Sequence, residues 1–424
     1  MFTDGRRVTA SALLTVATGA VGTVGCGDAS RASGCDPLVE GATIVASAGA
    51  GVWEREGRVP VLAELWRRGG TNEGEELAFP IFPAASPSGR LAIPDFQLAE
   101  VTVVEPDGTW LGPWARQGSG PGEIATPVAV AWASDGTLAV FDIANSSVVH
   151  LKDGEPVGED VRIDPTFVAP ILSAGQLAWA GVHPDGTVLL DPGWSSADPS
   201  DETARGSLIV RLTPGAAAPD TVARSTIPIA RTEALLRTQG VREWPVPGWP
   251  RPVAATGADG ALAWGGADST YRILIERVGA AGPLQICRHV PPLPLTAAER
   301  GDSVREGLEA LADAIRAAAP PAVPASFGRL VLGATGRVWV QRERPEPLPS
   351  GAGFLGRPGA RHDVFDADGE YLGEVRMPPR ATLHAARGDT IWVFETGEYD
   401  ETWVVAYRLE LRSEDGGATR GAGR

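Results

Sequence analysis

Six copies of a turn-plus-strand motif and a chain rich in turn residues predict an all-β protein. The form expected is a six-bladed β-propeller of four-stranded antiparallel blades, with one inserted amphipathic helix. The motif recurs at Ser88-Gly89, Asp135-Gly136, Asp185-Gly186, Asp259-Gly260, Thr335-Gly336 and Asp389-Thr390, each time leading into a short apolar run. Tight turns need positive φ, which Gly supplies freely and Asp tolerates. The 424 residues include 53 glycines and 36 prolines, which suits many turns better than long helices. Thirteen tryptophans stand against four tyrosines, and the indole is suited to filling wide gaps between packed sheets. A sheet of four short strands cannot cover both of its faces, so such sheets stack around an axis, each covering the next.

The chain opens on a targeting pattern. Arg6 and Arg7 precede a small, apolar run from Val8 to Gly25 that is too short and too rich in Ala, Gly and Thr for a membrane span. Residues 1–26 are read as a signal peptide ending in Thr23-Val24-Gly25-Cys26. That ending resembles a bacterial lipobox, with Thr23 where the pattern prefers an aliphatic residue. Lipidation of Cys26 is the expectation; ordinary cleavage or a retained anchor is the alternative. Either way the mature protein is expected to be exported, periplasmic or on the outer surface. Residues 27–40 read as a tether, 41–412 as the propeller and 413–424 as a disordered tail. Export places Cys35 and Cys287 in an oxidising compartment where one disulfide can form. With Cys35 in the tether, two free thiols are the expectation.

Ala42 to Ala48 and Val59 to Trp66 have the β-branched, alternating character of strands, and the N-terminal strand is expected to close the ring by joining the last blade. Blade two, Arg116 to Leu151, carries the motif in full: a loop Gly118-Ser119-Gly120-Pro121-Gly122-Glu123, a strand ending in Asp142, then Asn145 and a third strand. Two segments interrupt the blades. Thr232 to Ala254 holds Arg242, Trp244, Trp249 and Arg251 among four prolines. It reads either as a ligand platform or, preferably, as a loop that buries its own tryptophans over a blade edge. Leu295 to Ala318 carries a capping box, Thr296 with Glu299, and an apolar stripe of Val304, Leu308, Leu311 and Ile315. That makes it a helix lying on the outside or one end of the propeller.

Gly136 to Asp142, Asn145 and Val148 to Leu151 resemble the NHL-type propeller repeat. The chain as a whole is similar to the six-bladed propeller lipoproteins of bacteria, in which the Gly-x-Gly-Pro-Gly-Glu loop opens the second blade. The resemblance implies a fold and an address at the cell envelope, with no activity common to the group.

Motifs of chemistry are sparse. The five histidines, His150, His183, His289, His362 and His384, show no HExxH spacing, and no G-x-S-x-G elbow occurs. The Gly118–Gly122 loop lacks the Lys-Ser/Thr of a phosphate cradle, and is expected to let the chain pass between blades with Arg116 and Glu123 near the channel mouth. Asp142 and Asn145 are preferred as caps of their turn. A net charge of −16 argues against nucleic acid as partner, and against a membrane except through a lipid anchor. The expected function is a non-catalytic binding or scaffolding module without cofactor. It would engage an envelope protein, peptide or glycan through one face, with Arg116, Glu123, Arg242, Trp244, Trp249 and Arg251 as candidate contacts. The alternative is a lyase or lactone hydrolase of the NHL-like kind. Its axial calcium or zinc would be held by His150, His384, Asp95 and Asp142. The two part on whether histidines and carboxylates converge at the axis.

Overall fold

The computed structural model describes residues 35–168, 179–191, 194–195, 204–231, 243–297, 299–302, 309–318, 321–344 and 356–414. The signal segment with Cys26, Arg242, the helical positions Val304 and Leu308, and the tail from 415 lie outside them. So do the side chains of Arg116, Trp244 and Leu311. The chain divides into Met1–Asp36, of which only Cys35 and Asp36 are described, and Pro37–Arg424.

Six antiparallel sheets are arranged as six blades. Their innermost strands are Ala84–Ala85, Pro127–Trp132, Trp179–Val182, Val253–Thr256, Arg329–Leu332 and Ala381–Arg387. The next strands outward begin just after the repeated turns: Leu91–Asp95, Leu138–Asp142, Val188–Asp191, Leu262–Gly265, Val338–Gln341 and Thr390–Thr396. The turn chemistry differs in detail from a uniform two-residue hairpin. Between the first two strands of blade two only Gly136 takes positive φ, +85°, while the Asp135 carboxylate accepts the Thr137 N–H at 2.9 Å. At the next turn Asp153 and Gly154 both adopt positive φ, 49° and 87°.

Each blade covers its neighbours, as the stacking argument requires. Six apolar clusters occupy the six seams between adjacent blades. Tryptophans fill several of them: Trp132, Trp339 and Trp392 are at most 2% exposed, and Trp114 meets Trp132 edge to face at 5.6 Å. A buried ionic knot joins blades four and five. The Asp363 carboxylate lies 3.2 Å from both the Arg288 and Arg342 guanidiniums and accepts the Tyr271 and Tyr371 hydroxyls at 2.9 and 3.3 Å.

The ring closes by a strand from the N-terminal side. Arg58–Gly69 pairs antiparallel with Thr402–Ser413 as the outermost strand of blade six. The first strand, Thr43–Ala48, goes elsewhere: it runs parallel to Leu284–His289 on the outer edge of blade four, with Ala46 opposite Cys287. Between the two, the short helix Val52–Arg55 seats Trp53 over Gly373 in blade five. This strap begins inside the segment read as a tether, for Leu38 and Val39 pack on the seam of blades three and four and the Leu38 N–H donates to Gln285. Cys35 and Cys287 are each disulfide-bonded. The expectation of two free thiols therefore fails. The chain from Leu38 onward is anchored to the strand that carries Cys287 rather than left free.

The insertion also departs from a continuous helix. The capping box forms, the Thr296 N–H donating to Glu299 at 2.8 Å and the Glu299 N–H to the Thr296 hydroxyl at 3.2 Å. That turn ends at Gly301, φ +75°, where a Cβ would meet the Ala312 carbonyl. The described helix is Glu309–Ala317, with Ile315 fully buried. The capping turn is anchored by Arg344, whose guanidinium donates to both Glu299 oxygens at 2.7 and 3.0 Å. It also donates to the carbonyls of Leu293, Pro294 and Ala325.

Candidate functional site

All innermost strands run in the same sense, so the propeller has two unlike ends. One end carries the tight turns between first and second strands. The other receives the connections between blades and the turns between second and third strands. Among the described strands, those joined by the long connections 70–83, 114–126, 163–178, 232–252, 290–328 and 342–360 open onto this second end. The same end holds a recurrent clasp. Asp95, last residue of the second strand of blade one, accepts the N–H groups of Ala78, Phe79, Gln97 and Leu98. Asp142 does the same in blade two. It takes Ala125 N at 2.6 Å, Thr126 N at 3.0 Å, Ala144 N at 3.1 Å and Asn145 N at 3.3 Å, with the Asn145 amide at 2.7 Å. Both carboxylates are fully buried. Each binds the incoming connection to its own turn, so the lone pairs a metal needs are already engaged.

The other residues of the proposed metal set stand apart. His150 lies on the third strand of blade two and its Nε2 meets the Pro184 carbonyl at 2.8 Å. His384 alone reaches the axis. Thus His150, Asp95 and Asp142 take separate positions in blades one and two, while His384 belongs to blade six. Among the described residues they do not form a group of metal ligands.

Of the candidate contacts on the face, Glu123 folds into its own loop, accepting the Gly120 N–H at 2.8 Å, and a side chain at Gly118 would collide with it. The loop Gly118–Glu123 thereby cradles its own carboxylate, and the Gly118 carbonyl accepts the Asn145 amide at 3.0 Å. Trp249 and Arg251 are half-buried. The Trp249 segment lies against the insertion: the Gly248 carbonyl accepts the Ala325 N–H, and a Cβ at Gly248 would meet Leu295. It is also tied to blade three, where the Pro250 carbonyl accepts the Ser225 hydroxyl.

The axis itself holds a cavity of about 60 Å³, walled largely by alanines of the innermost strands together with Phe82, Trp132, Trp179 and Thr256. Its charged and titratable lining is Arg329 of blade five and His384 of blade six. Arg329 donates to the Leu383 carbonyl at 3.0 Å and lies 3.2 Å from His384 Nδ1. Guanidinium has only donors, so Nδ1 must be the acceptor and the ring proton sits on Nε2. Burial, and after it the Arg329 charge, holds the His384 imidazole well below its ordinary value. Burial likewise brings the Arg329 guanidinium down to about 10. Behind Arg329 the register runs outward through Gln341 to His362, whose imidazole burial and Arg329 depress to about 4. His384 occupies a β-bulge, the register slipping between Leu383 and Ala385, which re-aims its side chain. Sequence reasoning singled out His384 and missed Arg329, 55 positions away, for no local pattern links them.

No family model matches the chain, and no curated protein matches it. Among solved structures, the chain is similar to a gluconolactonase from Xanthomonas campestris: 15% identity, TM-score 0.38, 84% of this chain and 93% of that one. It is similar to a Bacteroides fragilis protein described as exported, at 12% identity and TM-score 0.45, over 87% and 100% of the two chains. Virginiamycin B lyase from Staphylococcus aureus is similar at 13% identity and TM-score 0.34, over 84% and 90%. These are likenesses in propeller architecture, and the activities in those names are those proteins' own.

Proposed function

We propose that the chain is a non-catalytic binding or scaffolding propeller of the bacterial cell envelope. In this reading it is exported by residues 1–26, held to a membrane by a lipid on Cys26, and engages a protein, peptide or glycan through one face. The observation that carries the reading is the asymmetry of the two ends. Tight turns close one end, while the described strands joined by the connections 114–126, 232–252, 290–328 and 342–360 open onto the other. Binding residues concentrate on such connections because a rigid scaffold positions them while they vary freely. The use of Asp95 and Asp142 as backbone clasps favours binding over axial metal chemistry.

The test uses protein beginning at Gly27, immobilised and probed with peptidoglycan fragments, a glycan array and envelope-derived peptides. Shortening the 232–252 connection is expected to abolish the specific signal, and substitution of the exposed Ser134–Asp135 turn at the other end to leave it intact. Loss on the turn substitution alone would reject the face assignment. One equivalent of tightly held zinc or calcium, with lactone or lyase turnover lost on chelation, would replace this reading by the enzymatic one. For the anchor, labelled palmitate should enter the full-length chain and not its Cys26→Ala variant; equal labelling of both rejects the lipid on Cys26.

A further inference from the structure

We propose that blade one, at its turn between second and third strands, docks a basic segment of a partner polypeptide. The proposal rests on the reading of that end as the binding face, and it places the contact at Phe79, Phe96 and Leu98. Blades one and two build the same clasp, which makes blade two an internal reference. Asp95 accepts the N–H groups of Gln97 and Leu98, as Asp142 accepts those of Ala144 and Asn145. The residue after each aspartate donates to the incoming connection, Phe96 to the Phe79 carbonyl and Ile143 to the Thr126 carbonyl. Phe79, Phe96 and Leu98 therefore stand where blade two has Thr126, Ile143 and Asn145. Ile143 is 1% exposed, and the Asn145 amide bonds Asp142 and the Gly118 carbonyl, so both serve their own blade. Phe96 and Leu98 are instead 43% and 38% exposed, with Phe79 edge to face on Phe96 at 6.1 Å. Blade two closes its clasp without such a surface, so the fold does not require it. Exposed aromatic and aliphatic groups gathered in one patch mark a surface that a partner covers.

The surrounding charge selects the partner. Between Arg68 and Arg116 the sequence has one basic residue, Arg90, and that guanidinium is held by Glu105 and Asp153. Glu73 and Glu76 are exposed on the connection that leads to Phe79. Glu100, two places beyond Leu98, is half-buried. Burial, and after it the charges of Asp95 and Glu76, hold its carboxyl above the ordinary value. A cation seated beside it would relieve that repulsion. The same connection is tied to blade six, where the Gly70 N–H donates to the Thr402 carbonyl at 2.8 Å. The blade-six turn before Thr402 presents Glu398, Tyr399 and Asp400, all exposed. Rings set among carboxylates suit Lys and Arg, whose stems lie along an apolar surface while their charged ends reach the rim. The same arrangement repels an acidic segment or an anionic glycan.

The experiment measures, by fluorescence anisotropy, binding of a short labelled peptide of Lys, Arg and Leu to the protein from Gly27 onward. Its counterpart with Glu at every basic position serves as the negative probe. Saturable binding of the basic peptide alone is expected. The double variant Phe96→Ser, Leu98→Asn removes the patch, keeps every charge and gives the turn polar residues, as blade two has. It should weaken the basic peptide by about tenfold or more, with an unchanged urea midpoint. Glu73→Gln with Glu76→Gln should weaken it by about fivefold and flatten its dependence on salt. A net charge of −16 attracts any polycation, so an equal change of charge at the tight-turn end, Asp135→Asn with Asp185→Asn, is the control. It should leave affinity within about twofold. Should the Phe96 and Leu98 double variant fail to fold, the two charge pairs decide. The proposal is overturned if no saturable binding occurs or if the acidic peptide binds equally. It is overturned too if the folded double variant binds as wild type does, or if the two charge pairs act alike. Loss of binding on shortening 232–252, with no effect of the double variant, would keep the face reading and reject this contact.

Discussion

Asp142→Asn tests whether the buried carboxylates hold the ring together. In the native chain Oδ1 accepts from Thr126 N, Ala144 N and Asn145 N, and Oδ2 from Ala125 N and the Asn145 amide. Asparagine keeps the shape and one acceptor oxygen, so the first three bonds survive in weakened, uncharged form. The second position becomes an NH2 group facing two donors. Asn145 is half-buried and can turn its amide to present oxygen, which relieves one conflict but gives up its bond to the Gly118 carbonyl. The Ala125 N–H is backbone and cannot turn away. One orphaned buried donor, plus the loss of charge in three remaining bonds, comes to about 2–4 kcal/mol. Urea unfolding should show that loss as a lowered midpoint with an unchanged slope. The control is Asp135→Asn, an exposed turn carboxylate with a single backbone bond, expected within about 0.5 kcal/mol of wild type. If Asp142→Asn behaves like the control, the carboxylate is not holding the connection, and its reading as a clasp is refuted.

Three other changes are expected to be measurable. Arg344→Ala strands the Glu299 carboxylate, buried to 3% exposure, and should cost about 3–5 kcal/mol in denaturant titrations. Burial opposes ionisation of Glu299, but Arg344 and the Thr296 N–H outweigh it and hold its pKa below 4.5. The stability it contributes is therefore complete above the ordinary carboxylate value and lost as pH falls through the lower folded one. Arg344→Ala should blunt that acid loss, and an unaltered acid profile would show that the pair does not set it. His362 is held neutral, its folded pKa near 4 against 6.5 when unfolded, so stability should fall from pH 6.5 downward by about 1.4 kcal/mol per pH unit. In His362→Gln the slope between pH 6.5 and 5 should be shallower by that amount, read from urea midpoints. Trp53→Ala should cost about 3–5 kcal/mol of local stability, exposing the strap near Gly51 to limited proteolysis. Unchanged cleavage there means that the strap is held by its strands alone.

Much of the architecture was legible because its causes are local. A turn at Asp135-Gly136 needs one residue at positive φ, and a short continuous apolar strand follows where a sheet is covered on both faces; both requirements are met within a few residues of sequence. The six repeats therefore counted the blades, and the N-terminal strand's place in the last blade followed from the need to close a ring. Less legible was the first strand. Nothing in Thr43–Ala48 states that it runs parallel to blade four rather than antiparallel in blade six, because its partner is found some 240 positions on. The capping box at Thr296 was equally plain, but Gly301 ends its turn where the chain meets Ala312.

By itself, then, the sequence determined that this is an all-β ring of six blades, where its turns fall, and which segments leave the repeat. The tertiary structure decided which side chains meet. Register aligned Arg329, Gln341 and His362 in a row. A bulge turned His384 across the seam to Arg329, and the clasp at Asp142 took up the carboxylate that a metal centre would have needed. The physical reason is that propensity and turn geometry act over a few residues. An axial site is made of residues from different blades, and its composition exists only once the ring has closed.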